Sequence, residues 1–159
     1  MSILKAIENQ FKRMEERRWD KIYYFFDLHE TVLYPDYDNK HELRFYPYAK
    51  KVLQYLSNRE DISISVYTCS YPKEIEKYMK FFKDHGIEFE FINKNPDVEN
   101  TTYGYYEDKP YFNVLFEDKA GFDAEEDWEL VAKHFFKTLD GKIINDIIVN
   151  TLNEELDGK

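Results

Sequence analysis

The sequence predicts an α/β domain with a mainly parallel sheet and an additional helix near each end of the chain. Strand and helix patterns alternate through the middle of the chain, as they do when parallel strands are joined by helical crossovers. Two of the predicted strands, 21–27 and 111–116, are almost continuously apolar, which is typical of strands covered on both faces. Because the chain has 159 residues, we expect a single domain whose core spans about 21–139.

The composition indicates a packed domain and excludes two classes of partner. The chain contains 14 Tyr, 13 Phe and 2 Trp, which is too much bulky apolar surface for a disordered protein. Its net charge is −10, and residues 97–159 contain 16 acidic but only 6 basic side chains. Nucleic acids and anionic membranes bind basic surfaces, so we expect neither of them as a partner.

The cysteine content and the short apolar runs predict a cytoplasmic protein. Cys69 is the only cysteine, which excludes an intrachain disulfide and a disulfide-stapled secreted scaffold. The first twenty residues include five basic side chains and no apolar block, so no secretory signal is visible. No apolar run approaches the roughly 20 residues that a membrane helix needs.

The first half of the chain predicts two helices and two strands. Apolar residues spaced three and four apart predict a helix over about 3–18. The run KIYYFFD at 21–27 is a strand that ends on an acid. Pro47 suits the first turn of a helix that continues to about residue 58. The β-branched run ISISVYT at 62–68 predicts the second strand.

The second half of the chain adds two strands and three helices. Pro72 begins a helix that ends at Gly86, because glycine suits the left-handed position that follows a helix. The remaining patterns predict strands at 89–92 and 111–116 and helices at 124–138 and 141–156. The last helix has an apolar face that covers the sheet, contacts the N-terminal helix or forms a homodimer contact. The sequence leaves these three alternatives open.

Chemically informative side chains follow three of the predicted strands. Asp27 ends the first strand, Thr68 ends the second, and Glu117 and Asp118 follow the last. In parallel sheets, ligands bind where the carboxyl ends of the strands meet the loops. Carboxylates are ligands that Mg²⁺ prefers, and a carboxylate near the metal can attack phosphorus as a nucleophile. The sequence therefore predicts phosphoryl chemistry at this edge of the sheet.

Four segments resemble the motifs of the haloacid dehalogenase-like (HAD) superfamily, in family order. FFDLHETV at 25–32 resembles the first motif, an apolar strand followed by Asp-x-Asp-x-Thr. VYTC at 66–69 is similar to the second, a strand that ends in Thr or Ser. Lys109 resembles the lysine of the third. LFED at 115–118, with Asp123 beyond it, resembles the paired acids of the fourth.

The segments NKNP at 93–96 and KPYFNVLFEDKAGFD at 109–123 also resemble small phage and bacterial HAD-like hydrolases. The resemblance implies a three-layer, Rossmann-like fold. The chain has no insertion long enough for a substantial cap domain, so the site would be open. Asp27 would be the nucleophile and a ligand of Mg²⁺, the implied cofactor. The backbone carbonyl of His29 would be a second ligand, and Glu117 and Asp118 would complete the protein's share. Such open sites tend to take bulky substrates.

Three further residues receive roles from the resemblance. Thr68 and Lys109 would hold the phosphate, and Lys109 would also neutralise Asp27. Lys94 is a rival for the role of Lys109. Asp123 would orient the surroundings of the metal, although acids between 123 and 127 also suit the positive end of a helix dipole.

The main departure from the family pattern is His29, which stands where the family has an acid/base Asp. An imidazolium can protonate a leaving alkoxide, and an imidazole can activate water. The ordinary pKa of a histidine side chain, near 6.5, suits both roles. Glu117 is one methylene longer than the usual Asp, so either Glu117 or Asp118 would contact the metal.

Two functions follow as alternatives. The first is Mg²⁺-dependent hydrolysis of phosphate monoesters through a phosphorylated Asp27, with a phosphorylated small molecule or macromolecular end as the substrate. The second is a catalytically silent HAD-like module that binds a phosphate ligand or a partner protein.

Overall fold

The computed structural model describes residues 2–38 and 40–136, and this part of the chain contains four α-helices and three strands. In chain order these are α1 (Ser2–Arg17), β1 (Ile22–Phe26), α2 (Ala49–Ser57), β2 (Ile62–Val66), α3 (Pro72–Asp84), β3 (Val114–Phe116) and α4 (Asp127–Phe136). A short 3-10 helix, Asp118–Ala120, follows β3. The helix predicted at 141–156 lies outside the described residues, and with it the homodimer alternative.

The three strands form one parallel sheet in the order β2-β1-β3. Ile22 pairs with Ile62 on one side of β1, and Tyr24 pairs with Val114 on the other. This arrangement of a parallel sheet flanked by helices confirms the predicted α/β fold class. All three strands run in the same direction, so their carboxyl ends lie at one edge of the sheet.

The segment predicted as a strand at 89–92 pairs with β2 only partly. The backbone N–H of Glu90 donates to the carbonyl of Ile64 at 2.8 Å, and the N–H of Val66 donates to the carbonyl of Phe91 at 2.9 Å. Only the bridge between Val66 and Ile92 has strand geometry. The segment therefore extends the sheet edge beside β2 without forming a regular strand.

The strand predicted at 111–116 is shortened at its start by Asn113. The N–H of Tyr23 donates to the side-chain Oδ1 of Asn113 at 2.8 Å, in place of a backbone carbonyl. The N–H of Asn113 in turn donates to the carbonyl of Tyr23 at 2.8 Å. Regular pairing begins only after this side-chain contact, at Val114.

The apolar character of β1 is explained by the cover on its two faces. Phe25 and Phe26 are both fully buried. The ring of Phe26 stacks on Phe116 at 4.4 Å and lies 6.1 Å from Trp128 of α4. The ring of Phe25 lies 5.7 Å from Phe112, in the segment that leads to β3. An uninterrupted apolar run is what such a central strand requires.

The helices end and pack largely as their sequences predict. Ile7 of α1 is fully buried, and Phe11 contacts Phe135 of α4 with ring centroids 6.4 Å apart. α3 stops before Gly86, which has a left-handed φ of 74°. Within residues 2–38 and 40–136, we find no helix with the length and apolar character to cross a membrane.

Candidate active site

Backbone hydrogen bonds align the carboxyl ends of the three strands at one edge of the sheet. The N–H of Asp27 donates to the carbonyl of Phe116 at 2.9 Å, and the N–H of Tyr67 donates to the carbonyl of Phe26 at 2.8 Å. The residues after β1, β2 and β3 therefore begin side by side. This is the physical reason why Asp27, Thr68 and the acid pair emerge at one edge.

Three carboxylates meet at this edge. Asp27, Glu117 and Asp118 each offer an oxygen, and these oxygens all lie within 4.8 Å of one another. All three side chains are partly buried. Oδ1 of Asp118 is buried and has no hydrogen-bond partner among the described residues. A group of hard oxygen donors with one unsatisfied buried atom has the chemistry that a divalent cation needs.

Burial and mutual repulsion make it costly to ionise these carboxyl groups together. Burial raises the pKa of Glu117 to about 7, helped by a hydrogen bond with Asp118. Burial is also the main cause that raises the pKa of Asp27, and the negative charge of Asp118 adds to it. The backbone N–H of Leu28 acts in the opposite direction by bonding to Asp27. A bound cation would relieve this repulsion.

The turn after β1 is tied to the end of β3 by Thr31, the threonine of the first motif. Thr31 is fully buried. Its Oγ1 accepts a hydrogen bond from the N–H of Asp118 at 3.2 Å, and its carbonyl accepts one from Nε1 of Trp128 at 2.6 Å. The turn includes Glu30 at a left-handed φ of 60°. Thr31 therefore links the carboxylate group to the core of the domain.

The ring of His29 is held by two tyrosines. Its Nε2 lies 2.9 Å from the hydroxyl oxygen of Tyr78 on α3. On another side its ring centroid lies 5.5 Å from that of Tyr37. Tyr78 was not predicted as a site residue, because its place among the apolar residues of α3 indicates a core residue and nothing more.

Thr68 is fixed by hydrogen bonds on its backbone and on its hydroxyl. Its N–H donates to Oδ1 of Asn93 at 2.7 Å, and Nδ2 of Asn93 donates to its carbonyl at 2.7 Å. Its Oγ1 lies 2.9 Å from Oγ of Ser70. Asn93 belongs to the segment 93–96 that carries part of the resemblance, and its position directly after segment 89–92 places it at the same edge of the sheet, but no role was predicted for it.

The structure places the two lysines nearest to the motifs differently. Nζ of Lys109 lies 6.0 Å from the ring centroid of Phe112. The negative charges of Asp118 and Glu117, with a smaller effect of Asp27, raise the pKa of Lys119. Lys119 therefore interacts electrostatically with the carboxylate group. The sequence signal was its position directly after the acid pair. The phosphate-binding role of Lys109 stays a prediction.

Asp123 lies at the approach to α4. Its Oδ1 accepts a hydrogen bond from the N–H of Glu125 at 3.0 Å, and its own N–H donates to Oδ2 of Asp127 at 2.8 Å. The side chain is exposed. These contacts match the interpretation of 123–127 as a helix start, and the role of Asp123 around a metal stays a prediction.

Glu117 should couple both stability and metal binding to pH. Because its folded-state pKa of about 7 exceeds the ordinary 4.5, the metal-free fold binds more protons than the unfolded chain between these values. Its stability therefore falls as pH rises from 4.5 to 7, whereas any divalent cation held by this carboxylate would bind more tightly, because protons stop competing for it. We expect Glu117→Gln to be more stable than the wild type at pH 8 without metal, by on the order of 1 kcal/mol after solvent screening.

Urea unfolding with and without Mg²⁺, at pH 5 and pH 8, measures this effect. Mg²⁺ should stabilise the wild type at pH 8 more than Glu117→Gln. Glu99→Gln removes an exposed acid and should behave like the wild type. Identical unfolding curves for all three proteins at pH 8 would contradict the assignment of a raised pKa to Glu117.

Comparison with known proteins supports the fold. No protein-family model matches the sequence, and no curated protein matches it. Among solved structures, the chain is similar to a conserved protein from Bacteroides thetaiotaomicron, with a TM-score of 0.56 and 15% sequence identity. The match covers 76% of this chain and 93% of that one. At this identity the likeness shows a shared fold alone, so any assignment of function depends on the chemistry of the site.

Proposed function

We propose that the protein is a Mg²⁺-dependent phosphatase that hydrolyses phosphate monoesters through a phosphorylated Asp27. One observation carries the proposal: oxygens of Asp27, Glu117 and Asp118 lie within 4.8 Å of one another at the carboxyl edge of a parallel sheet. Mg²⁺ typically takes one or two protein carboxylates and keeps sites for water and phosphate oxygens. The resemblance of four segments between 25 and 123 to HAD motifs supports the same chemistry.

The residues that would hold the metal are Asp27, the acid pair and the backbone carbonyl of His29. Bound Mg²⁺ would supply positive charge to the phosphoryl oxygens as negative charge develops on them. Thr68, whose backbone is fixed by Asn93, would donate its hydroxyl to a phosphoryl oxygen. A lysine, Lys109 or Lys119, would add a second positive charge.

The reaction would proceed in two displacements at phosphorus. In the first, a carboxylate oxygen of Asp27 forms a bond to phosphorus while the ester oxygen leaves and takes a proton from the imidazolium of His29. In the second, water gives a proton to the imidazole and attacks the aspartyl phosphate. The bond between phosphorus and Asp27 breaks, inorganic phosphate leaves, and both side chains return to their starting states.

The described connections around the site provide no cap domain, so a substrate would reach the carboxylates from solvent. Among the described residues, the connections 27–48 and 93–113 contain isolated bridges and turns but no helix or strand of the sheet. Neither connection therefore provides a cap domain. The substrate class is a phosphorylated small molecule or a phosphorylated macromolecular end, and a cytoplasmic location stays a prediction.

Removal of Mg²⁺ should abolish turnover. We expect phosphate release from at least one member of a panel of aryl phosphates, nucleotides and sugar phosphates, and a loss of about 100-fold or more after chelation. Activity should return when Mg²⁺ is added back. Ca²⁺, which prefers longer bonds and more ligands, should restore much less.

The same preparation can be tested for binding of beryllium fluoride, which mimics a phosphoryl group on a carboxylate. Mg²⁺-dependent binding of this mimic would support a phosphorylated Asp27. No turnover on any substrate, together with no metal-dependent binding of the mimic, would contradict the proposal. The catalytically silent module would then be the remaining alternative.

A further inference from the structure

We infer that Tyr78 is a positioning residue for His29, which its hydroxyl holds in one orientation beside the carboxylate group. The inference rests on the proposed phosphatase function, in which His29 exchanges a proton with the leaving group and with water. Tyr78 has no counterpart in the four motif segments. It comes from the middle of α3, 49 residues away along the chain.

The contact between the two side chains is well enclosed. Nε2 of His29 and the hydroxyl oxygen of Tyr78 are 2.9 Å apart, and Tyr78 is only 6% exposed. The two rings meet edge to face, with centroids 5.3 Å apart and an interplanar angle of 81°. Tyr37 lies on another side of the imidazole at 5.5 Å. A buried hydroxyl without a hydrogen-bond partner destabilises the fold, so the hydrogen bond to Tyr78 restrains the ring of His29.

This geometry assigns different tasks to the two ring nitrogens of His29. Nε2 is hydrogen-bonded to Tyr78, so Nδ1 is the nitrogen available to exchange a proton with the ester oxygen or with water. A general acid must lie within hydrogen-bond reach of the atom that it protonates. The restraint at Nε2 therefore determines where Nδ1 lies. In the family pattern a short Asp, with little freedom, occupies this position, whereas a histidine side chain needs an external anchor.

Ser70 lies near both Tyr78 and Thr68, the proposed phosphate-binding residue. Burial raises the pKa of Tyr78, whereas the hydroxyl of Ser70 acts to lower it, and Oγ of Ser70 lies 2.9 Å from Oγ1 of Thr68. The side chains of Tyr78 and Ser70 therefore restrain His29 and Thr68, respectively, on the same side of the site.

The leaving group of the substrate provides the decisive test. An alkyl phosphate releases a strongly basic alkoxide that needs a proton, whereas 4-nitrophenyl phosphate releases a stable phenolate that does not. We expect Tyr78→Phe to lower kcat/KM about 10-fold for an alkyl phosphate and less than about threefold for 4-nitrophenyl phosphate, because kcat/KM includes the steps up to departure of the leaving group and not hydrolysis of the phosphorylated Asp27. In a His29→Ala background, Tyr78→Phe should have no further effect on kcat/KM, because the residue that it positions is absent.

Tyr55→Phe is the matched control. It removes a hydroxyl near the C-terminal end of α2 that accepts a hydrogen bond from Arg59, and it should alter kcat/KM for neither substrate. Long-range ¹H–¹⁵N spectra of labelled histidine give a readout independent of turnover. Tyr78→Phe should shift the ring signals assigned to His29 and leave those of the other three histidines in place.

Equal losses of kcat/KM on both substrates, additive losses in the double variant, or unchanged His29 signals would each overturn the inference. These outcomes differ from failure of the proposed function. If the wild type shows no metal-dependent turnover, both proposals fail. If the wild type is active and Tyr78→Phe matches it on the alkyl phosphate, only the positioning role fails.

Discussion

Asp27→Asn should eliminate phosphate release from every substrate that the wild type hydrolyses, with a fall in kcat of about 1,000-fold or more. The amide has nearly the shape of the carboxylate but cannot form the phosphorylated intermediate. It also replaces one of the three carboxylates whose oxygens lie within 4.8 Å of one another by a neutral amide. Steady-state phosphate release measures the loss, and mass spectrometry after an acid quench detects the phosphoryl group on Asp27 in the wild type alone.

We do not expect Asp27→Asn to lose activity through unfolding, and urea unfolding of the variant tests this. Because burial raises the pKa of Asp27, its charge opposes folding at neutral pH, and the neutral Asn should be at least as stable in urea. Asp97→Asn changes the charge equally at an exposed site and should retain full activity. A phosphoryl group that still appears on the Asp27→Asn protein would show that another residue is the nucleophile.

The sequence predicted the sheet well because central strands have a strong local signature. The residues of β1 are apolar without interruption, and the structure covers them with Phe116 and Trp128 on one face and Phe112 on the other. The predicted start of the last strand, at 111, was wrong, because an apolar pattern does not show which side chains replace backbone groups in the pairing. The side chain of Asn113 takes the place of a backbone carbonyl opposite Tyr23.

The site was predictable only where its residues lie at strand ends. Asp27 and the acid pair could be grouped because parallel strands end at one edge. Tyr78 could not be grouped with His29, since that contact depends on how α3 is rotated against the loop after β1. Thr31 was visible as part of a motif, but its hydrogen bonds to Asp118 and Trp128 span distances along the chain that no local pattern encodes.

Trp128→Ala should produce the largest loss of stability of any single core substitution considered for this chain, about 3–5 kcal/mol. Trp128 is fully buried and lies nearly parallel to Phe26 and Phe116, with interplanar angles of 11° and 5°. Domains of this kind have a total stability of about 5–15 kcal/mol, so a large share would be lost. Urea unfolding followed by circular dichroism measures the change without relying on tryptophan fluorescence.

Trp19→Ala is the matched control, because it removes the other tryptophan from a partly exposed position and should cost about 1–2 kcal/mol. An equal loss in the two variants would contradict the central place given to Trp128.

Trp128→Phe separates the two ways in which this residue supports the protein. Phenylalanine retains an aromatic ring against Phe26 and Phe116 but has no N–H to donate to the carbonyl of Thr31, so the cost should be smaller, about 1–3 kcal/mol. Since Thr31 also accepts the hydrogen bond from the N–H of Asp118, its release should weaken Mg²⁺ binding in calorimetric titrations. A metal affinity equal to that of the wild type would show that the carboxylates keep their arrangement without this link to the core.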